Sequence, residues 1–295
     1  MLTRLPYTLL WILALPLVLL RLLWRARRQP AYLRHVGERF GRYRVRAPLA
    51  VIWVHAVSVG ETRAAEPLVR ALLARWPEHS VLLTHMTPTG RATSEALFGD
   101  ALFKDEARVL RAYLPYDLGC FAHAFLRHFR PLFGVIMETE LWPNLLAACR
   151  RRRIPVMLAN ARLSERSARR YARLPALTAL TMKALAAIGA QTAADAARLG
   201  QLGARRVTVT GNIKFDITPP AEMLALGQTL RARIGERPVV LAASTREGEE
   251  AVLVDAFVRN APSDALLLLV PRHPQRFDAV AAELAARKLA TQRRS

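Results

Sequence analysis

The sequence predicts an α/β protein of two doubly wound units behind an apolar N-terminal helix, on three observations. Short apolar runs recur at helical spacings, the pattern of buried parallel strands alternating with helices. The alternation breaks at Thr218–Pro219–Pro220 and then restarts. Ahead of both units stands one uncharged apolar stretch, Leu5 to Leu20, which resumes after Arg21 with Leu22, Leu23 and Trp24.

That first stretch just meets the roughly 20 apolar residues a spanning helix needs, and Arg21 near its end can carry its charge out to the headgroups. A cleaved signal peptide fits poorly, because Arg25, Arg27, Arg28, Gln29 and Pro30 follow where small residues would mark cleavage. Only Arg4 stands on the other side, so the positive-inside bias places the body in the cytoplasm. Pro6 and Pro16 leave open a helix lying on the bilayer. Strands are then expected at Val51–His55, Val81–Thr84, Phe133–Met137, Val156–Asn160, Ile188–Gln191 and Val207–Thr210. Helices are expected between them, at Glu61–Arg75, Thr89–Leu97, Leu118–Phe129, Asn144–Arg152 and Ala193–Leu202. Past the break come strand Val239–Ala243, helix Glu247–Asn260, strand Ala265–Val270 and helix Gln275–Arg287. The organisation is therefore an anchor with a basic flank at 1–28, a first unit at 45–217 and a second at 221–295. Two strands make a poor core by themselves, which predicts that the chain continues past Ser295.

The formal net charge of +21 is almost wholly arginine, with Lys104, Lys183, Lys214 and Lys288 the four lysines. A field of that sign favours anionic partners: phospholipid headgroups, phosphorylated glycolipids, nucleotides or nucleic acid. A nucleic-acid binder should show basic residues interleaved with aromatics on one face. Here aromatics are 7% and the arginines are spread along the chain. Cys120 and Cys149 have no metal-ligand or CxxC spacing and read as reduced cysteines. No GxGxxG follows a strand and no GxxxxGK[ST] occurs, which disfavours a dinucleotide oxidoreductase and a P-loop nucleotidase.

Ligands of such sheets gather at the carboxyl ends of strands, and several of those ends carry polar groups. In Trp53-Val-His55-Ala-Val-Ser58-Val-Gly60-Glu61, Glu61 opens a helix, where a carboxylate is favoured by the macrodipole alone; at the mouth of the crevice it also suits a general base. In Met137-Glu138-Thr-Glu140-Leu-Trp142-Pro143, two carboxylates end an apolar strand and, in extended geometry, point to one side. In Gly211-Asn212-Ile213-Lys214-Phe215-Asp216, a lysine stands among turn residues before the break and can offset charge on a substrate. In the second unit, Ser244 and Thr245 precede a helix as an anion site or an ordinary N-cap, and Arg272 and His273 follow a strand where a phosphate or a base can be gripped.

These segments in order, WVHAVSVGE, LTHMTPTGR, YLPYD, METELWPN, NARLSERS, GNIKFD, STREGEE and LVPRHPQRF, resemble the transferases of 3-deoxy-D-manno-octulosonic acid (Kdo) in lipopolysaccharide assembly. Those are inverting glycosyltransferases of the GT-B fold. The resemblance implies Glu61 as catalytic base, Glu138 and Lys214 as transition-state stabilisers, and Arg272 and His273 as ligands of CMP. The STREGEE loop, with Ser244, Thr245 and Glu249, joins them in nucleotide-sugar binding, although Arg246 and Ala243 stand where the family commonly has histidine and glycine. The implied partners are CMP-Kdo, the lipid A precursor lipid IVA and the anionic lipids of a bacterial inner membrane, with no nucleic acid, cofactor or metal. The family also carries a further glycine-rich stretch beyond the segments seen here, so an inactive, binding-only relative is the competing expectation.

Overall fold

The computed structural model describes residues 2–99, 108–216 and 221–293; the expected break at Thr218–Pro219–Pro220 lies outside them. The chain divides into two compact units, Met1–Thr218 and Pro219–Ser295.

The first unit opens with helix α1, Leu5–Arg28. One stripe of it is turned inward from end to end: Arg4, Thr8, Trp11, Leu15, Val18, Leu22 and Ala26 are buried or half-buried. Its other side leaves Leu9, Leu10, Leu13, Leu17 and Leu20 between 51% and 75% exposed. Behind it lies a seven-stranded parallel sheet: β1 Ala50–His55, β2 His79–His85, β3 Val109–Tyr113, β4 Phe133–Met137, β5 Val156–Ala161, β6 Ala187–Ala190 and β7 Val207–Val209. Their spatial order is β3-β2-β1-β4-β5-β6-β7.

Both faces of this sheet are covered, which is why its strands read as unbroken apolar runs. Ile52 and Val54 of β1 face α2 Val59–Ala64, α3 Glu66–Arg75 and α4 Pro88–Phe98, packing with Val69, Leu73 and Phe98. Trp53 points the other way, onto Phe125 of α5 Gly119–Phe129 and Leu145 of α6 Pro143–Arg151. Its indole lies so close to β4 that a Cβ at Gly134 would come within 2.3 Å of it; glycine is needed there for room.

Three departures from the expected elements have physical causes. The single helix expected over Glu61–Arg75 is two, α2 and α3, meeting at Ala65, because Pro67 has no N–H to give to the carbonyl four residues back. β3 was not expected: Arg111 interrupts its apolar run, as an edge strand allows. The hairpin of α7 Glu165–Ala172 and α8 Pro175–Met182 was also missed. No residue of α7 is buried; Ala168 and Tyr171 pack half-buried against the core, a stripe too short to read among three arginines. Helix α9, Ala193–Gln201, stands as expected.

The second unit has the order α10 Ala221–Ile234, β8 Val239–Thr245, α11 Glu249–Asn260, β9 Leu266–Pro271 and α12 Phe277–Ala286. Its two strands are parallel. Ala242, Val254 and Val280 are buried, whereas Leu241 is 62% and Val270 49% exposed.

Candidate active site

The strand order of the first unit reverses between β1 and β4. In an open parallel sheet the crevice at such a reversal, beyond the carboxyl ends, is where ligands lie. The turn after β1 carries Glu61, and the turn after β4 carries Glu138 and Glu140.

Glu61 stands in the first turn of α2 and is 8% exposed. Ser58 is the N-cap: its Oγ accepts from the Glu61 N–H and donates to Glu61 Oε1 at 3.0 Å. The Val57 N–H donates to Glu61 Oε2 at 2.9 Å. This is a variant of the capping box, so the sequence Val-Ser-Val-Gly-Glu holds its own carboxylate in one orientation. Each carboxylate oxygen keeps a lone pair free of these bonds. Burial pushes the Glu61 carboxyl up; the bonds from Val57 and Ser58 pull it back, and the like charge of Glu138 raises it again. A carboxylate held this way is fixed in place and more basic than one in water.

Glu138 and Glu140 do not project from an extended strand. β4 ends at Met137, and Glu138 takes a left-handed φ of 55° in a turn, while its N–H still reaches Ala159 O of β5 at 2.8 Å. A non-glycine residue in that region is strained and persists only where its surroundings hold it, as at functional sites. The pleat argument for their shared side therefore fails, yet the two carboxyls remain coupled. Glu140 is pushed up to about 7 by burial, then by the charges of Glu61 and Glu138. Three carboxyls thus share one field at the switch point.

Lys214 brings the opposing charge. Its Nζ lies 3.9 Å from Glu138 Oε1, with both side chains partly exposed. It sits on a 3₁₀ turn, Ile213–Asp216, after β7. Asn160, at the carboxyl end of β5, accepts from the Ile213 N–H at 3.2 Å through Oδ1 and itself adopts a φ of 55°. Sequence reasoning missed Asn160 as a contributor to the site, although its segment, NARLSERS, was marked. It also missed Asp117 of YLPYD, whose carboxylate accepts from the N–H groups of Asn144 and Leu145 at 3.0 and 2.8 Å. Asp117 thereby caps α6 from 27 residues away and places the METELWPN turn.

The histidines near this edge serve the scaffold. His55 bonds Thr84, and His85 bonds Ala56 O and Ser94 Oγ. Burial pushes His55 down to about 3 and His85 down to about 4, so both are neutral near pH 7. Thr87 caps α4 and donates to Val57 O at 3.2 Å, packing the LTHMTPTGR turn against the one that carries Glu61.

In the second unit the five expected residues gather at the carboxyl ends of β8 and β9. The Arg272 N–H donates to Thr245 O at 3.0 Å and ties the two ends together. Ser244, Glu249, Arg272 and His273 are exposed. The capping expected of Ser244 and Thr245 is corrected. α11 begins two residues later than expected, with Gly248 at a φ of 88° as its N-cap. Ser244 ends the strand with a φ of 61°, and the Thr245 hydroxyl donates to the buried Glu250 at 2.8 Å, which Arg276 grips with both terminal nitrogens. Glu249 accepts from the Arg246 N–H at 2.8 Å.

The family model described as 3-deoxy-D-manno-octulosonic-acid transferase (kdotransferase) matches residues 34–217. The 3-deoxy-D-manno-octulosonic acid transferase of Bordetella pertussis is 46% identical over 87% of this chain and 61% of its own length. The protein of the same description from Haemophilus influenzae is 39% identical over 99% of this chain and 68% of its own. The chain thus spans about two thirds of the length of these relatives. Among solved structures, the UDP-GlcNAc 2-epimerase of Neisseria meningitidis aligns with a TM-score of 0.53 at 15% identity, over 84% of this chain and 73% of that one, a likeness of GT-B-like fold alone. The chain belongs to the 3-deoxy-D-manno-octulosonic-acid transferase family.

Proposed function

We propose that the protein transfers Kdo, with inversion, from CMP-Kdo to a sugar hydroxyl of the lipid A precursor lipid IVA, at the cytoplasmic face of an inner membrane. The observation that carries this reading is the fixed, buried carboxylate of Glu61 at the switch point of a chain in this family. The acceptor hydroxyl oxygen bonds to the anomeric carbon of Kdo, the bond from that carbon to the CMP phosphate breaks, and the hydroxyl proton passes to Glu61. Burial makes Glu61 the better base for that step. Lys214 and Glu138 act as a unit: the lysine offsets the negative charge that gathers as the acidic donor meets a phosphorylated acceptor, and the glutamate orients the lysine.

CMP leaves as a phosphate monoester, which the exposed Arg272 and His273 suit. Ser244, Thr245 and Glu249 shape the loop beside them. In this reading the units divide the labour, the first holding the acceptor and the base, the second the nucleotide. The test incubates the full-length protein with CMP-Kdo and lipid IVA. Acceptor mass should rise by whole Kdo units with one CMP released per unit. CMP release without any mass gain on the lipid would overturn the proposal.

A further inference from the structure

Helix α1 has the length and composition of a membrane span, yet its packing is that of a helix lying flat. The stripe at Arg4, Thr8, Trp11, Leu15, Val18, Leu22 and Ala26 is buried or half-buried along its length, and contacts hold it at both ends. At one end, Tyr7 donates to Asp117 Oδ2 at 2.9 Å, Trp11 donates to the Tyr7 hydroxyl at 2.8 Å, and Asn144 Nδ2 donates to Thr8 at 3.1 Å. Trp11 also stacks near Tyr116, ring centres 6.0 Å apart. At the other end Leu22 and Ala26 are buried, and the Arg25 guanidinium lies 5.6 Å from the centre of the Tyr32 ring.

A helix of 24 residues is about 36 Å long at 1.5 Å per residue, a full bilayer core. If it crossed, the side of the unit that covers it would enter hydrocarbon, or all of these bonds would be given up. The first choice would carry Asp117, Asn144 and their donors into a medium where each unsatisfied polar group costs several kcal/mol. The second would strip Asp117 of one of its three donors and expose the inner stripe. Neither is needed, because the outward face is itself a membrane surface. Leu9, Leu10, Leu13, Leu17 and Leu20 form it, and Arg21, Arg25, Arg27 and Arg28 stand exposed at its end. Leucines on one face with arginines at headgroup level suit an anionic interface.

We propose that α1 is a monotopic seat: it lies in the plane of an anionic bilayer leaflet, with the Arg4 end on the same side as the body, and does not cross. Asp117 and Asn144, which hold that end, sit at helix N-termini on the carboxyl edge of the sheet, the edge that bears Glu61 and Glu138. The seat therefore turns the candidate site toward the leaflet, and this orientation, though not the seat, rests on the transferase reading.

Impermeant maleimide labelling in spheroplasts tests it, with Cys120, exposed in the body, as the marker of the body's side. Thr3→Cys, made with Cys120→Ser, should label only after lysis, as Cys120 does in the native protein. Labelling of Thr3→Cys in intact spheroplasts while Cys120 stays protected means that the helix spans, and overturns the seat. Cys120 labelling in intact spheroplasts would sink the cytoplasmic placement and leave the seat standing if Thr3→Cys labels with it. On vesicles, fluorophores at Leu9→Cys, Leu13→Cys, Leu17→Cys and Leu20→Cys should be quenched at one common depth. A depth that peaks midway along the helix contradicts the seat. Binding to phosphatidylglycerol vesicles should exceed binding to phosphatidylcholine by about tenfold and weaken in salt; equal binding would remove the anionic requirement.

Discussion

The two units use the same local grammar and reach different degrees of burial. β1 and β8 are both short, apolar, parallel strands followed by a polar turn and a helix. In the first unit, helices on both faces leave Ile52, Trp53 and Val54 fully buried. In the second, a sheet of two strands leaves Leu241 62% exposed. Strand patterning thus records what a residue is suited to, while burial depends on how many elements converge on it. The same contrast holds for the sites: in the first unit Glu61 is buried and Glu140 half-buried, both raised by burial and by neighbouring carboxylates, and the second unit's Arg272 and His273 are open to solvent.

The largest test of that contrast is in the core. Trp53→Ala should cost about 3–5 kcal/mol in urea unfolding, the range for a buried aromatic cut to alanine; a loss under 1 kcal/mol would contradict the packing described. Acid should act next, and on the first unit. His55 and His85 are held at about 3 and about 4, below the roughly 6.5 of a free imidazole. As pH falls below that value the unfolded chain binds protons first, so the rings' share of stability is full above about 6.5 and is lost progressively toward pH 4. Glu140, raised to about 7, contributes in the opposite sense as pH falls from there. The slope approaches about 1.4 kcal/mol per pH unit for each ring. Imidazole resonances of the folded protein that titrate near about 6.5 would show that the rings are not buried neutral.

Activity should separate the units in turn. Lys214→Ala should lower kcat about a hundredfold with little change in KM for CMP-Kdo, and Arg272→Ala should raise that KM about tenfold with less change in kcat. Both substitutions acting on KM alone would erase the division of labour. The smallest effect is expected at Glu165→Ala, within about 0.5 kcal/mol, because its ion pair with Arg169 on α7 is exposed on both sides.

Much of this was legible in the sequence, because buried parallel strands announce themselves as apolar runs and the polar turns after them mark a crevice. Glu61, Glu138 and Lys214 were singled out that way and through the resemblance, and the structure brings Lys214 within 3.9 Å of Glu138. What could not be read depended on contacts distant in sequence or on turn geometry. The Asp117 cap reaches across to α6, and Asn160 meets Ile213 from another strand. The left-handed turn at Glu138 replaced the pleat expected of it. The inward stripe of α1 alternates Thr8 with Trp11, Val18 and Leu22, and so was hidden among leucines on every side.

The proposed chemistry needs one carboxylate, seated where the first strand gives way to its helix, to take the acceptor's proton. Single-turnover transfer and CMP-Kdo affinity measured on the same preparation of Glu61→Gln separate that role from helix capping. The account predicts transfer at least a hundredfold slower with donor affinity within about twofold and the unfolding midpoint nearly unchanged. Transfer at the native rate, or a loss matched by collapse of the fold, would contradict it.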